Sequence, residues 1–151
     1  MNHVRAQVRK NMSAIIQAAI PDIHVFESKT TPLQKHNTPA FLVKTPGETI
    51  EPLTQGRNQG GRMQKRTIVT EVYVFGRADE NIEDYIDTLA KQVEDAVAAD
   101  YTLGNVAIST SLDSVIIDTS ASPDTSNGAA LLNFSSVVHT AEGQSEISIR
   151  N

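Results

Sequence analysis

Arg66-Thr-Ile-Val-Thr-Glu-Val-Tyr-Val-Phe-Gly76, followed closely by Asp79-Glu-Asn-Ile-Glu-Asp-Tyr-Ile-Asp-Thr-Leu89, decides the fold. The first segment is rich in β-branched and aromatic residues, which suit a pleated, packed surface. Ile68, Val72 and Val74 share one parity and Val69, Tyr73 and Phe75 the other. A central strand is expected, covered on both faces or touching a neighbouring subunit. In the second segment the period changes from two to 3.6: Ile82, Tyr85, Ile86, Leu89, Val93, Ala96 and Val97 form one stripe. Asp79-Glu-Asn81 supplies capping and acidic first-turn residues for a helix reaching about Asp100.

Working outward, Val4, Val8, Met12, Ile15, Ile16 and Ala19 fall at helical spacing, with Arg5, Arg9, Lys10 and Gln17 on other faces. Ile20-Pro21 ends that helix, and Asp22 to Glu27 alternates as a strand does. Residues 28–38 are polar and read as a loop before the buried strand Pro39-Ala-Phe-Leu-Val43. Pro46-Gly47 signals a turn, with Glu48 to Leu53 as the returning arm of a hairpin. Thr54 to Gln64 is polar and glycine-containing, so a mobile loop is expected there.

Beyond Leu103-Gly104, Val106, Ile108 and Leu112 share a parity that Val115 and Ile117 break. A bulge near Asp113-Ser114 reconciles them. Ala121 to Gly128 is a loop, Ala129 to Thr140 the last strand around Leu132, Phe134 and Val138, and Ala141 to Asn151 a polar tail that frays or packs on a partner. Consecutive strands with only two helices predict an α+β fold: a mixed or antiparallel β-sheet with two main α-helices packed on one face. A single domain over residues 1–140 is expected, with a flexible loop at about 54–64 and residues 141–151 as the tail. A chain of 151 residues buries roughly 68–70% of its unfolded surface, enough for one core.

Composition narrows the function. The chain has no cysteine, so a disulfide framework, a thiolate metal site and a cysteine nucleophile are excluded. Arg5, Arg9 and Lys10 interrupt the apolar run that an export signal needs, and no stretch suits a membrane span. His3, His24, His36 and His139 are scattered, with no HExxH spacing. Gly143-Gln-Ser145-Glu-Ile147 lacks the last glycine of a hydrolase elbow. In Gly56-Arg-Asn-Gln-Gly-Gly61-Arg62-Met63, Arg62 and Met63 stand where a P-loop needs lysine and a hydroxyl. Glu83, Asp84, Asp87, Glu94 and Asp95 read as the solvated side of the second helix. No catalytic residue, cofactor or metal is therefore expected, and the chain reads as a non-enzyme.

The net charge of −5 disfavours a dedicated nucleic-acid binder. Against that sign, Arg57, Arg62, Lys65 and Arg66 lie in a stretch without acidic residues between Pro52 and Thr70. Such a basic loop either solubilises or orders against an acidic surface of another subunit, or lies near DNA in a pore. With Tyr73 and Phe75, these four residues form the candidate subunit or partner interface.

Taken in order, the amphipathic N-terminal helix, Ile23-His-Val-Phe26, the loop ending Thr38-Pro39 before Ala40-Phe-Leu-Val43, Val72-Tyr-Val-Phe75, the acidic-capped helix, Leu103-Gly104 and Leu132-Asn-Phe134 resemble the tail terminator family of long-tailed bacteriophages (minor tail protein U-like, or tail completion, proteins). The resemblance spans about Val4 to Thr140. It implies a structural virion subunit, assembled in the host cytoplasm and located at the head-proximal end of the tail. Such subunits form homo-oligomeric rings, typically hexamers, bind the last ring of tail-tube protein, stop tube polymerisation and present the surface that joins the head-tail connector or neck protein. DNA would pass through the lumen without sequence-specific binding. The glycine- and arginine-rich loop and the tail after Thr140 depart from the pattern. A connector or neck subunit is the nearest rival; a DNA-binding accessory protein using the basic loop and an enzyme are more distant ones.

Overall fold

The long strand predicted at Arg66 to Gly76 is the centre of the molecule. In a computed structural model, which describes residues 2–27, 39–53, 62–78, 81–121 and 126–149, it runs as β3 over Met63–Ala78. Around it lie α1 (Val4–Ala19), β1 (His24–Glu27), β2 (Ala40–Pro52), α2 (Ile82–Ala99), β4 (Ser109–Ala121) and β5 (Ser126–Ala141). The five strands form one sheet in the order β1-β2-β3-β5-β4. β1 pairs with β2 in parallel, whereas every other neighbouring pair is antiparallel. The sheet is thus mixed, and the α+β class holds.

Period two along β3 sorts its side chains. Arg66, Ile68, Thr70, Val72 and Val74 are buried on the face carrying both helices. α1 covers β1 and β2, and α2 covers β3, β5 and β4. Phe41, Val43, Leu132, Phe134 and Val138 meet Val8, Met12, Ile16, Ile86 and Val93 in one core. Burying Phe41 or Phe134 contributes about 1.5–3 kcal/mol each. The spacing of Val4, Val8, Met12 and Ile16 is sufficient to define α1, because those positions are all fully buried.

Local expectations change at several points. Pro46-Gly47 does not turn the chain: the register slips between Lys44 and Gly47 and β2 continues, pairing Glu48 with Ile68 and Pro52 with Gln64. Among the described residues β1 accompanies β2 only as far as Val43, so Pro46 falls where β2 has no described partner on that side and its missing N–H leaves none unmatched. Asn81 is the N-cap of α2, but in a left-handed conformation (φ 53°) and without a side-chain capping bond; the acidic first-turn residues are Glu83 and Asp84. Ser126 to Gly128, read as loop, already belongs to β5.

The expected bulge is present, with the register slipping between Leu112 and Ser114. The Leu103-Gly104 break is a turn of three successive left-handed residues, Leu103, Gly104 and Asn105. Leu103 accepts this because its side chain is fully buried and its carbonyl receives the Asn11 amide at 2.7 Å. The tail packs on its own chain. Ser145 O accepts from Val4 N–H at 2.8 Å, and Ile149 N–H donates to His139 O at 2.7 Å, where β5 extends past the end of its pairing with β4. The loop expected over Thr54 to Gln64 ends earlier, since Met63 and Gln64 already belong to β3; its residues 54–61, the expected loop at 28–38, residues 79–80 and residues 122–125 of the expected 121–128 loop lie outside the described residues.

His3 caps α1, its Nδ1 accepting from Arg5 N–H at 3.0 Å. Its pKa is lowered below 6.5, chiefly by burial, with Glu48 opposing and Arg5 and Arg66 adding to the shift. A neutral ring is required for Nδ1 to accept, so the 3.7 Å approach of Nε2 to Glu48 is not an ion pair at neutral pH. Because the folded pKa is the lower one, the capping contribution is complete above the unfolded value of about 6.5 and declines as pH falls through it. A proton NMR titration is expected to place His3 below 6.5, and His3→Asn is expected to lose less stability than wild type between neutral and mildly acidic pH. An His3 titration above 6.5 would reverse this reading.

Candidate subunit interface

The sheet's other face is where Tyr73 and Phe75 point, since they alternate with buried Val72 and Val74. Register carries one apolar side chain from each strand into a single row: Phe26 opposes Leu42, Leu42 opposes Tyr73, Tyr73 opposes Leu131 and Leu131 opposes Ile116. Four inter-strand gaps make this row roughly 19 Å long. No helix among the described residues covers it. Leu42 is nevertheless only 7% exposed, whereas Ile116 at the far end is 58% exposed.

The rows on either side differ. Toward one end, Phe75 stacks on Tyr73 with ring centroids 6.0 Å apart, and His24 meets the Phe26 ring edge-on at 4.3 Å. Phe75, Asp118, Asn127, Gly128 and Ala129 line a shallow depression there. Toward the other end the row is polar: Lys44 opposes Glu71, and Glu71 opposes Asn133. Lys44 Nζ lies 5.6 Å from the Tyr73 ring centroid. Burial and the adjacent Glu71 carboxylate raise the Tyr73 pKa above 10, so the phenol stays protonated and its hydroxyl donates to Glu71 at 3.4 Å. The face is an apolar stripe with a polar margin.

The basic residues do not gather on this face. Arg57 lies outside the described residues. Arg62 Nε sits 3.3 Å from Glu142 Oε2 at the end of the sheet. Lys65 has the parity of Tyr73, opposite His139 on one side and Glu51 on the other. Arg66 has the opposite parity and is 7% exposed. Its Nη1 lies 2.8 Å from Glu48 Oε1, and its Nε donates to Thr140 Oγ1 at 2.9 Å. The same carboxylate oxygen receives Arg5 Nη1 at 2.8 Å. Arg66 thus anchors α1 to β2 and β3.

Phe26, Leu42, Leu131 and Ile116 were not singled out from sequence. Each reads as an ordinary strand residue, and only inter-strand register brings them into line. Among the described residues no three His, Asp or Glu side chains are grouped to hold a metal ion, and no helix is long and apolar enough to cross a membrane.

No protein-family model matches the chain, and no curated protein sequence does. Among solved structures, the chain is similar to one from the virion of a native gene transfer agent particle, at 13% identity and a TM-score of 0.40, covering 89% of this chain and 94% of that one. A second solved chain aligns at 13% identity and a TM-score of 0.44, covering 88% and 92%. At these values neither likeness decides a function.

Proposed function

We propose that this chain is a structural subunit of a phage-type virion, a tail terminator whose copies form a ring, six in the expected case, that caps the tail tube and offers a joining surface to the head. The observation that supports this reading is the apolar row Phe26–Leu42–Tyr73–Leu131–Ile116, formed by one residue from each strand on the face that no helix among the described residues covers. A chain that keeps such a row on a flat sheet face gains by covering it, and identical subunits in a ring do so with heterologous contacts, in which different patches meet around the axis. The ordered sequence pattern from the N-terminal helix to Leu132-Asn-Phe134 points to the same class of subunit.

The test is to polymerise tail-tube protein with and without this chain and view the products by electron microscopy. Rings, or tubes shortened and capped at one end, are the expected result. A chain that leaves tube length unchanged and forms no ring would transfer the assignment to a neck or connector subunit.

A further inference from the structure

β4 closes one side of the sheet, and among the described residues nothing pairs with its outer edge. An open edge strand normally carries lysine, proline or a short length that discourages pairing with another chain. β4 has 13 residues, Ser-Thr-Ser-Leu-Asp-Ser-Val-Ile-Ile-Asp-Thr-Ser-Ala, without lysine, arginine or proline. Val115, Ile116 and Ile117 are exposed by 40, 58 and 39%. The opposite side of the sheet is better protected, by a four-residue β1 and by the Pro46 bulge and Pro52 in β2.

We infer that this edge pairs with the β4 edge of a second copy, antiparallel and centred on Ile116. In that register Ile116 faces Ile116, Val115 faces Ile117 and Ser114 faces Asp118. No like charges stand directly opposite one another, an arrangement that antiparallel pairing favours. The Asp113 bulge, between Leu112 and Ser114, falls outside the five central pairs. Pairing like with like at Ile116 keeps both helical layers on the same side of the joined sheet. It also sets the two apolar rows end to end, because Ile116 terminates the row through Leu131 and Tyr73. A register shifted by one residue would turn Ile116 toward the helical side of its partner. The contact is isologous, so it is separate from the heterologous contacts of a ring and does not rest on the tail-terminator reading.

The absence of cysteine allows a direct test by disulfide trapping of the full chain. Directly opposed antiparallel residues have Cα atoms about 4.5–5.5 Å apart, within disulfide reach, whereas diagonal neighbours at about 7–8 Å are not. Ile116→Cys is expected to give a covalent dimer under mild oxidation. Val115→Cys alone and Ile117→Cys alone should cross-link at least about tenfold more slowly, yet an equimolar mixture of the two should cross-link readily. Ile116→Lys, at an exposed position, should be folded by circular dichroism and shift the sedimentation equilibrium to monomer. Failure of Ile116→Cys to cross-link, equal cross-linking of all three single variants, or a dimer undiminished by Ile116→Lys would each overturn the inference. Val115 and Ile117 lie off the apolar row, opposite Leu132 and Ala130, so ring or tube-capping activity in Val115→Cys and Ile117→Cys reports separately on the proposed function.

Discussion

Glu48→Ala is expected to lower the unfolding free energy by about 3 kcal/mol, since removing one member of a buried pair leaves the other charge uncompensated. Glu48 and Arg66 side chains are each 8% exposed, and a single oxygen, Oε1, receives both Arg66 and Arg5 at 2.8 Å. Arg5 is 40% exposed and can return to solvent; Arg66 cannot without breaking its bond to Thr140. Arg5→Ala should therefore cost less than about 1 kcal/mol. Urea unfolding of both variants checks the pair. A Glu48→Ala loss no larger than that of Arg5→Ala would show that Arg66 does not depend on this carboxylate.

Gly128→Val is expected to cost about 3 kcal/mol, at the upper end of overpacking losses. Gly76 and Gly128 face each other across β3 and β5, directly beneath the first turns of α2. A Cβ on Gly128 would stand 2.7 Å from Ile86 Cγ1 and 2.9 Å from Ile82 Cγ1, and one on Gly76 2.8 Å from Ile86 Cδ1. The glycine pair thus sets how closely the helix approaches the sheet. Gly47, in the β2 bulge, has nothing within 4 Å of the added atom, so Gly47→Ala should change stability by less than about 0.5 kcal/mol. Thermal unfolding of the two variants compares them; equal midpoints would contradict the close-packing role of Gly128.

Much of the architecture was legible because periodicity and burial agree. Val4 to Ala19, the stripe from Ile82 to Val97 and the slip at Asp113 are all visible as changes of period. Pro46-Gly47 misled because a turn pair and an edge bulge have the same local chemistry; only the short reach of β1 along β2 distinguishes them. Tyr73 and Phe75 were identifiable as the second apolar face of a strand. Their partners Phe26, Leu42, Leu131 and Ile116 were not, because a row across a sheet is a property of register between distant segments. Arg66 was grouped with Arg62 and Lys65 by proximity in sequence, yet parity alone turns it to the helical face. Its carboxylate, Glu48, lies beyond the misread turn.

In the proposed ring, copies assemble through the apolar row on the face that no helix among the described residues covers. Leu131 lies within it, between Tyr73 and Ile116. The most direct measurement is native mass spectrometry of wild-type chain and Leu131→Lys, each alone and with tail-tube protein, after circular dichroism has established that both are folded. Wild type is expected to form a closed ring on the tube protein and Leu131→Lys to remain unassembled; a folded Leu131→Lys chain that forms the same ring as wild type would contradict the claim.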